Sequence, residues 1–156
     1  MSEIKIRRAT VGDIGGLAKS NAALFAEDGA ARDHLRNPDW PGTHGARWCA
    51  DLIADPTALV LVVAVGNDVG GHLIGTYAEA SAMWTAPMAE LVSMFVSPSW
   101  RGQALGSRLV EDFVSWARER GALRLKVSAY LANDGALRFY RRHGFAPLSS
   151  ELVVDL

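Results

Sequence analysis

Thiol chemistry is nearly absent from this 156-residue chain: its one cysteine, Cys49, cannot form an intramolecular disulfide. Its four histidines, His34, His44, His72 and His143, show no metal-ligand spacing with Cys49, so no metal is expected. An excess of one charge is also missing. Sixteen Lys and Arg stand against 17 Asp and Glu, for a net charge of -1, without the basic surplus of a dedicated nucleic-acid binder. The longest apolar run, Ala58 to Val65, is too short to cross a bilayer as a helix and reads as a buried strand. No membrane or nucleic-acid partner is expected. The opening stretch MSEIKIRRAT carries no apolar core of a signal peptide, which with the lone thiol points to a cytoplasmic location. There is no internal repeat, low-complexity tract or linker, so residues 1–156 read as a single domain.

What is present is ordinary globular material, 49% hydrophobic and 21% charged, with a clear alternation of strand and helix patterns. Ile4 and Ile6 alternate with charged neighbours as a strand, and Thr10 stands as the N-cap of a helix that fades at Glu27-Asp28-Gly29. The stretch LRNPDWPGTHG is rich in Pro, Gly and Trp and reads as a long loop. Long loops often cover sites, which makes Asp39, Trp40 and His44 candidates for a substrate mouth; a surface loop with a Trp plugged into the core fits equally well. A helix through GARWCADLIAD leads to the strand at Ala58, and GNDVGG reads as a hairpin turn at Asn67-Asp68 and Gly70-Gly71 into HLIGTYAEASA. The strand AELVSMFVS follows. Leu105, Leu109, Phe113 and Trp116 then form the apolar stripe of a helix from about Ala104 to Arg120. LRLKVSAY is a strand, NDGALRFYRRHG a helix ended by Gly144, and ELVVDL a closing strand. The expected order is β-α-α-β-β-β-α-β-α-β, an α+β domain around a mixed sheet.

The stretch FVSPSWRGQALGSRL joins a strand to a helix N-terminus through a short Gly-containing loop. That is a recipe for holding an anion, because unpaired backbone N–H groups and the positive helix end converge there. Neither a Walker A ending nor a three-glycine dinucleotide fingerprint is present. The stretch resembles the pyrophosphate motif Arg/Gln-x-x-Gly-x-Gly/Ala of the GNAT superfamily of acyl-CoA-dependent N-acyltransferases: Arg101 and Gly106 fit, while Ala104 departs at the first glycine. About thirty residues on, Asn133, Ala136, Phe139, Tyr140, Gly144 and Phe145 follow a second signature of that family. The resemblance is strongest from Ala89 to Phe145.

The resemblance implies a GNAT-like sheet splayed at the cofactor site and acetyl-CoA as cofactor. It places Met94, Phe95 and Val96 beside the pantetheine arm, with the Val96 N–H as oxyanion donor. Arg101, Gly102, Gln103, Ala104, Leu105, Gly106 and Ser107 would surround the pyrophosphate, Asn133 would contact pantetheine or help splay the strands, and Tyr140 would protonate the leaving thiolate, with packing beside Phe139 as its alternative. Because position 104 is read as helical with negative φ, Ala104→Gly is expected to change affinity little. Glu90, eleven residues before Arg101, matches the general-base glutamate of one branch of the family. Strict alternation would set Glu90 on one face with Val92, Met94 and Val96, an apolar setting that raises a carboxyl pKa. A solvated glutamate or the partner of an arginine is the equal alternative, with Glu79 in reserve. Trp40 and Trp84 are candidates to wall the acceptor pocket. Glu27, Asp28, Asp33 and Asp39 flank the acceptor side and suit a cationic small-molecule amine. A protein N-terminus or lysine, or a non-catalytic acyl-CoA sensor, are the competing readings, and a homodimer through the C-terminal strand is open.

Overall fold

The computed structural model describes residues 3–156. Strands β1 (Lys5–Arg8), β2 (Ala58–Val65), β3 (Asp68–Ala78), β4 (Met88–Val96) and β5 (Arg124–Val127) form one sheet in that order. The first four run antiparallel to their neighbours, and β5 is parallel to β4. A parallel neighbour needs a crossover, which α4 (Leu105–Glu119) supplies.

Strand β2 shows how the two layers form. Its odd residues Leu59, Leu61 and Val63 join the core under α4, where Leu109, Val110, Phe113 and Ala117 are buried. Its even residues Val60, Val62 and Ala64 meet Leu17 of α1 (Ile14–Leu24) and Cys49 of α3 (Trp40–Ala54). Burial pushes the Cys49 thiol pKa up, so it is apolar filling and not a nucleophile. Each fully buried Val, Leu or Phe contributes about 1.5–3 kcal/mol, which makes the two-sided β2 the centre of stability.

Four expectations are corrected. The first helix does not fade at Glu27: a π-helical turn (Phe25–Gly29) and the short α2 (Ala30–Arg32) continue it. The long loop is shorter than expected, because α3 begins at Trp40 with Pro41 in its first turn, a place where the missing proline N–H costs nothing. The β2–β3 turn is at Gly66-Asn67, with Gly66 at φ 58°, and Gly70 and Gly71 lie inside β3. Gly70 is there for space: a Cβ on it would stand 2.1 Å from the Trp100 ring. Lastly, ELVVDL forms no strand; after α5 (Asp134–Arg142) the described residues contain no further regular element.

At the start of the chain, Arg7 of β1 donates to both Asp13 carboxylate oxygens (2.7 and 2.9 Å), and the Thr10 N–H donates at 2.8 Å. The Arg7 hydrogen bonds hold the 4% exposed Asp13 carboxyl down at about 2. Because the folded value lies below the usual 3.8, the stabilisation is present above pH 4 and lost as pH falls through 2. Its size is about 2 kcal/mol at 1.36 kcal/mol per unit. Urea unfolding of Asp13→Asn should therefore show lower stability at neutral pH and a flatter loss between pH 4 and 2. An acid limb as steep as wild type would contradict the assignment.

Candidate functional site

Strand β4 is the first builder of the site. Ser93 pairs with Ile74 and Leu91 with Gly75, so Val92 is an unpaired bulge, 42% exposed. The bulge breaks the strict alternation expected for this strand. Ala89 and Leu91 lie in the α4-side core and so do Met94 and Val96, which leaves Glu90 on the opposite face from Met94 and Val96. Strand β5 pairs with β4 only as far as Leu91, opposite Val127, and from Val92 to Val96 that edge of β4 is open. The Ser97 N–H donates to Gly70 O on β3, so by period-two alternation the Val96 and Met94 backbone groups face the open edge.

This edge opens into a cleft of about 550 Å³, closed by the loop after β4, the start of α4, α5 and the π-helical turn. Met94, Phe95, Val96, Arg101, Gly102, Ala104, Leu105, Gly106, Ser107, Asn133 and Tyr140 all line it. Gln103 does not; its side-chain amide donates to Trp100 O at 3.3 Å. Arg101 spans the mouth. Its Nε donates to Val96 O at 2.8 Å, and Nη2 donates to both Glu27 oxygens at 3.0 and 3.1 Å. Asn133 caps α5 by accepting from the Ala136 N–H at 3.1 Å and donates to Asp28 Oδ1 at 3.1 Å. Asp28 is also paired with Arg32 at 2.6 Å. Both rims are thus tied to Glu27 and Asp28, a role visible in the sequence only as two adjacent acidic residues.

Ala104 overturns an expectation. It is the N-cap of α4 at φ 57° and ψ 24°, a left-handed conformation and not a helical one. For a residue with a Cβ this costs about 1–2 kcal/mol, and glycine avoids it. Ala104→Gly should therefore raise stability by up to about 1 kcal/mol after the entropy of the unfolded chain is subtracted. A urea midpoint equal to or below wild type would refute that.

Gly106 of α4 faces Phe139 of α5: a Cβ there would lie 3.4 Å from Phe139 Cζ, close to ordinary van der Waals contact, so a methyl nearly fits and anything larger crowds the ring. Ser107 Oγ and His143 Nε2, 3.0 Å apart, tie the same two helices. Tyr140 packs edge-on against Phe139 and Phe145. Burial first, and then the charge of Asp28, push its phenol up to about 12, so it keeps its proton at neutral pH.

The remaining candidates lie elsewhere. Glu90 is outside the cleft lining, 39% exposed and 3.8 Å from Lys126, so its apolar setting is not found and its partner is a lysine. Glu79 accepts from the Tyr77 hydroxyl at 3.2 Å, and Trp84 is half exposed in the β3–β4 connection. Trp40 stacks on Phe25 at 5.8 Å and lines a separate shallow hollow with His44 and Trp48. Glu79, Trp84 and Trp40 do not wall the cleft: Glu79 and Trp84 lie past the end of β3, in the connection to β4, and the early start of α3 sets Trp40 on its own helix face against Phe25. Among the described residues no three His, Cys, Asp or Glu side chains are grouped as metal ligands.

Sequence reasoning missed one buried triad. His72, fully buried, has Ser20 Oγ 2.6 Å from Nδ1 and Ser93 Oγ 2.7 Å from Nε2. Burial lowers its pKa to about 4, and the neutral ring links α1 and β3 to β4 beside Met94. No sequence spacing joins positions 20, 72 and 93.

The model of the acetyltransferase (GNAT) family matches residues 30–145. Streptothricin acetyltransferase of Streptomyces lavendulae is 34% identical over 109 residues, which cover 70% of this chain and 54% of that protein. N-alpha-acetyltransferase RimI of Mycobacterium tuberculosis is 36% identical over 83 residues, 52% of this chain and 50% of that one. The chain thus spans about half the length of these two relatives. A mutant of the BH1408 protein from Bacillus halodurans has the same fold, with a TM-score of 0.86 at 19% identity over 97% of this chain and 99% of that one.

Proposed function

The chain belongs to the acetyltransferase (GNAT) family, and from that premise we propose that it transfers an acetyl group from acetyl-CoA to a primary amine of a small-molecule acceptor. Direct attack within a ternary complex is the mechanism. One observation carries the reading: the open edge of β4 beyond the Val92 bulge enters the same cleft as the phosphate-type loop and Tyr140.

The residues fit the cofactor. Met94 and Val96 offer backbone groups on the open edge for the amides of a pantetheine arm, as a strand would. The N-terminal amides of α4, from Leu105 to Ser107, and the Arg101 guanidinium suit its diphosphate. Bound there, acetyl-CoA supplies an activated acyl thioester. The Val96 N–H would donate to the acyl oxygen as charge develops on it. Tyr140 would donate its retained proton in a hydrogen bond to the departing sulfur. The acceptor must arrive as a neutral amine, and Glu90, outside the cleft, can take its proton only through intervening water.

Glu27 and Asp28 favour a cationic acceptor. A diphosphate that takes Arg101 would free the Glu27 carboxylate on the cleft wall, where it could meet an ammonium group. The relatives fit amine chemistry: one is named for streptothricin and the other for N-alpha acetylation.

A panel of small cationic amines and of peptides with free N-termini or lysines, incubated with acetyl-CoA and read by free-thiol release, tests this. Turnover with a small amine is the expected result. Turnover with peptides alone would establish the protein-acetylating reading, and CoA binding without any turnover would establish the sensor.

A further inference from the structure

One polar pair at the wall of the cleft has no part in the chemistry described so far. Ser107, the third residue of α4, lines the cleft, and its Oγ stands 3.0 Å from Nε2 of His143, the C-cap of α5. His143 itself stays out of the cleft lining, and its half-buried ring packs on Phe139 with centroids 4.7 Å apart. The pair is directional, because a hydroxyl has one proton to give and two lone pairs to receive with. If Nε2 is bare, the Ser107 hydroxyl must donate to the ring, and only lone pairs are left for the cleft, where they repel an anion. If Nε2 carries a proton, the ring donates to Oγ, and the serine proton is free to point at an acceptor. Which ring nitrogen of His143 is protonated therefore decides whether Ser107 meets an anion as donor or as acceptor.

We propose that His143 is a positioning residue of the cofactor site: its Nε2–H turns the Ser107 hydroxyl into a donor for the diphosphate of acetyl-CoA. The inference rests on the cofactor reading above and adds a side-chain donor to the backbone amides of the same turn. Ser107 is at the third helical position, so its own N–H is among the unpaired amides of that helix end, and amide and hydroxyl belong to one residue. An anion accepting from the hydroxyl makes its oxygen a better acceptor for Nε2–H, so the two hydrogen bonds strengthen each other. Arg142 lines the same wall, but its guanidinium sits over the Phe139 ring at 5.8 Å. His143 is thus the one side-chain partner of Ser107 among the described residues.

Calorimetry with CoA on wild type, His143→Leu, Ser107→Ala and the double variant tests this, with nitrogen NMR of the His143 ring as a second readout. Leucine keeps an apolar contact with Phe139 and removes the donor. His143→Leu should weaken CoA binding by about tenfold, the low end for a hydrogen bond to a charged group, and should cost nothing further once Ser107 is alanine. His143→Gln, whose amide can donate from nearly the same place as Nε2, should recover most of the affinity. In the ring spectra of the wild-type CoA complex, Nε2 should carry a proton. An equal loss from His143→Leu in both serine backgrounds would make His143 a packing residue and overturn the proposal. A bare Nε2 in the complex, or a glutamine variant that binds no better than leucine, would overturn it as well. Wild-type protein that does not bind CoA would bring down the cofactor reading and this inference together, whereas wild-type binding that His143→Leu leaves unchanged would overturn this inference alone.

Discussion

Replacing Tyr140 by Phe is expected to lower kcat by about a hundredfold, within the roughly 1.5–3 kcal/mol that a hydrogen bond to a charged group contributes, while CoA affinity stays within about twofold. The substitution removes one oxygen and keeps the ring that packs against Phe139 and Phe145, so α5 should stay in place. A phenol pushed up to about 12 holds its proton far more tightly than a thiol, whose ordinary pKa is about 8.5. Full proton transfer to a thiolate would then be uphill, and the hydroxyl is better suited to stabilise sulfur by a hydrogen bond than to act as a strong acid. The pH dependence follows from the sign: the donor form persists below about pH 12, so Tyr140 itself should produce no alkaline loss of kcat near pH 9. Steady-state kinetics with acetyl-CoA and an accepted amine provide the check. Unchanged kcat in the variant would remove Tyr140 from the chemistry, and equal losses in kcat and CoA affinity would make it a packing residue.

Gly106→Val should abolish measurable CoA binding by calorimetry. Two effects act together. The new side chain stands where the first turn of α4 must approach a diphosphate, and its carbons press on Phe139, already 3.4 Å from a Cβ at this position. Overpacking of this kind costs about 1–3 kcal/mol, equivalent to a fall in Tm of roughly 2–12 °C for a domain of this size. Since α5 also carries Asn133 and Tyr140, its displacement disturbs the far wall of the cleft. Gly106→Ala separates the two effects: a single methyl asks Phe139 to give by only a few tenths of an ångström. The alanine variant should fold as wild type does, and any loss of CoA affinity in it reports the anion side alone. Retained CoA binding in the valine variant would mean that the diphosphate does not rest on this turn.

The motif residues from Arg101 to Ser107 and from Asn133 to Tyr140 were legible because each set is local: spacing along one loop or one helix puts them on a single surface. With the exception of Gln103, the structure brings all of them to one cleft. Glu90 was misread for a physical reason. Alternation assumes an unbroken strand, and the Val92 bulge arises from how β3 pairs with β4, which no residue within MAELVSMFV announces. Ala104 was misread in the same way, since a short path from the Pro98–Trp100 turn into α4 forces a left-handed residue where composition suggests a helical one.

By itself the sequence determined the alternation of strands and helices as far as α5, the two-sided burial of β2 and the family motifs, because these follow from periods of two and 3.6 residues and from local capping. Tertiary structure alone decided which face of β4 carries Glu90, that Glu27 and Asp28 tie both rims of the cleft, and that His72 sits between Ser20 and Ser93. Those outcomes depend on strand register and on which distant segments meet, and neither is encoded within one helical turn or one strand.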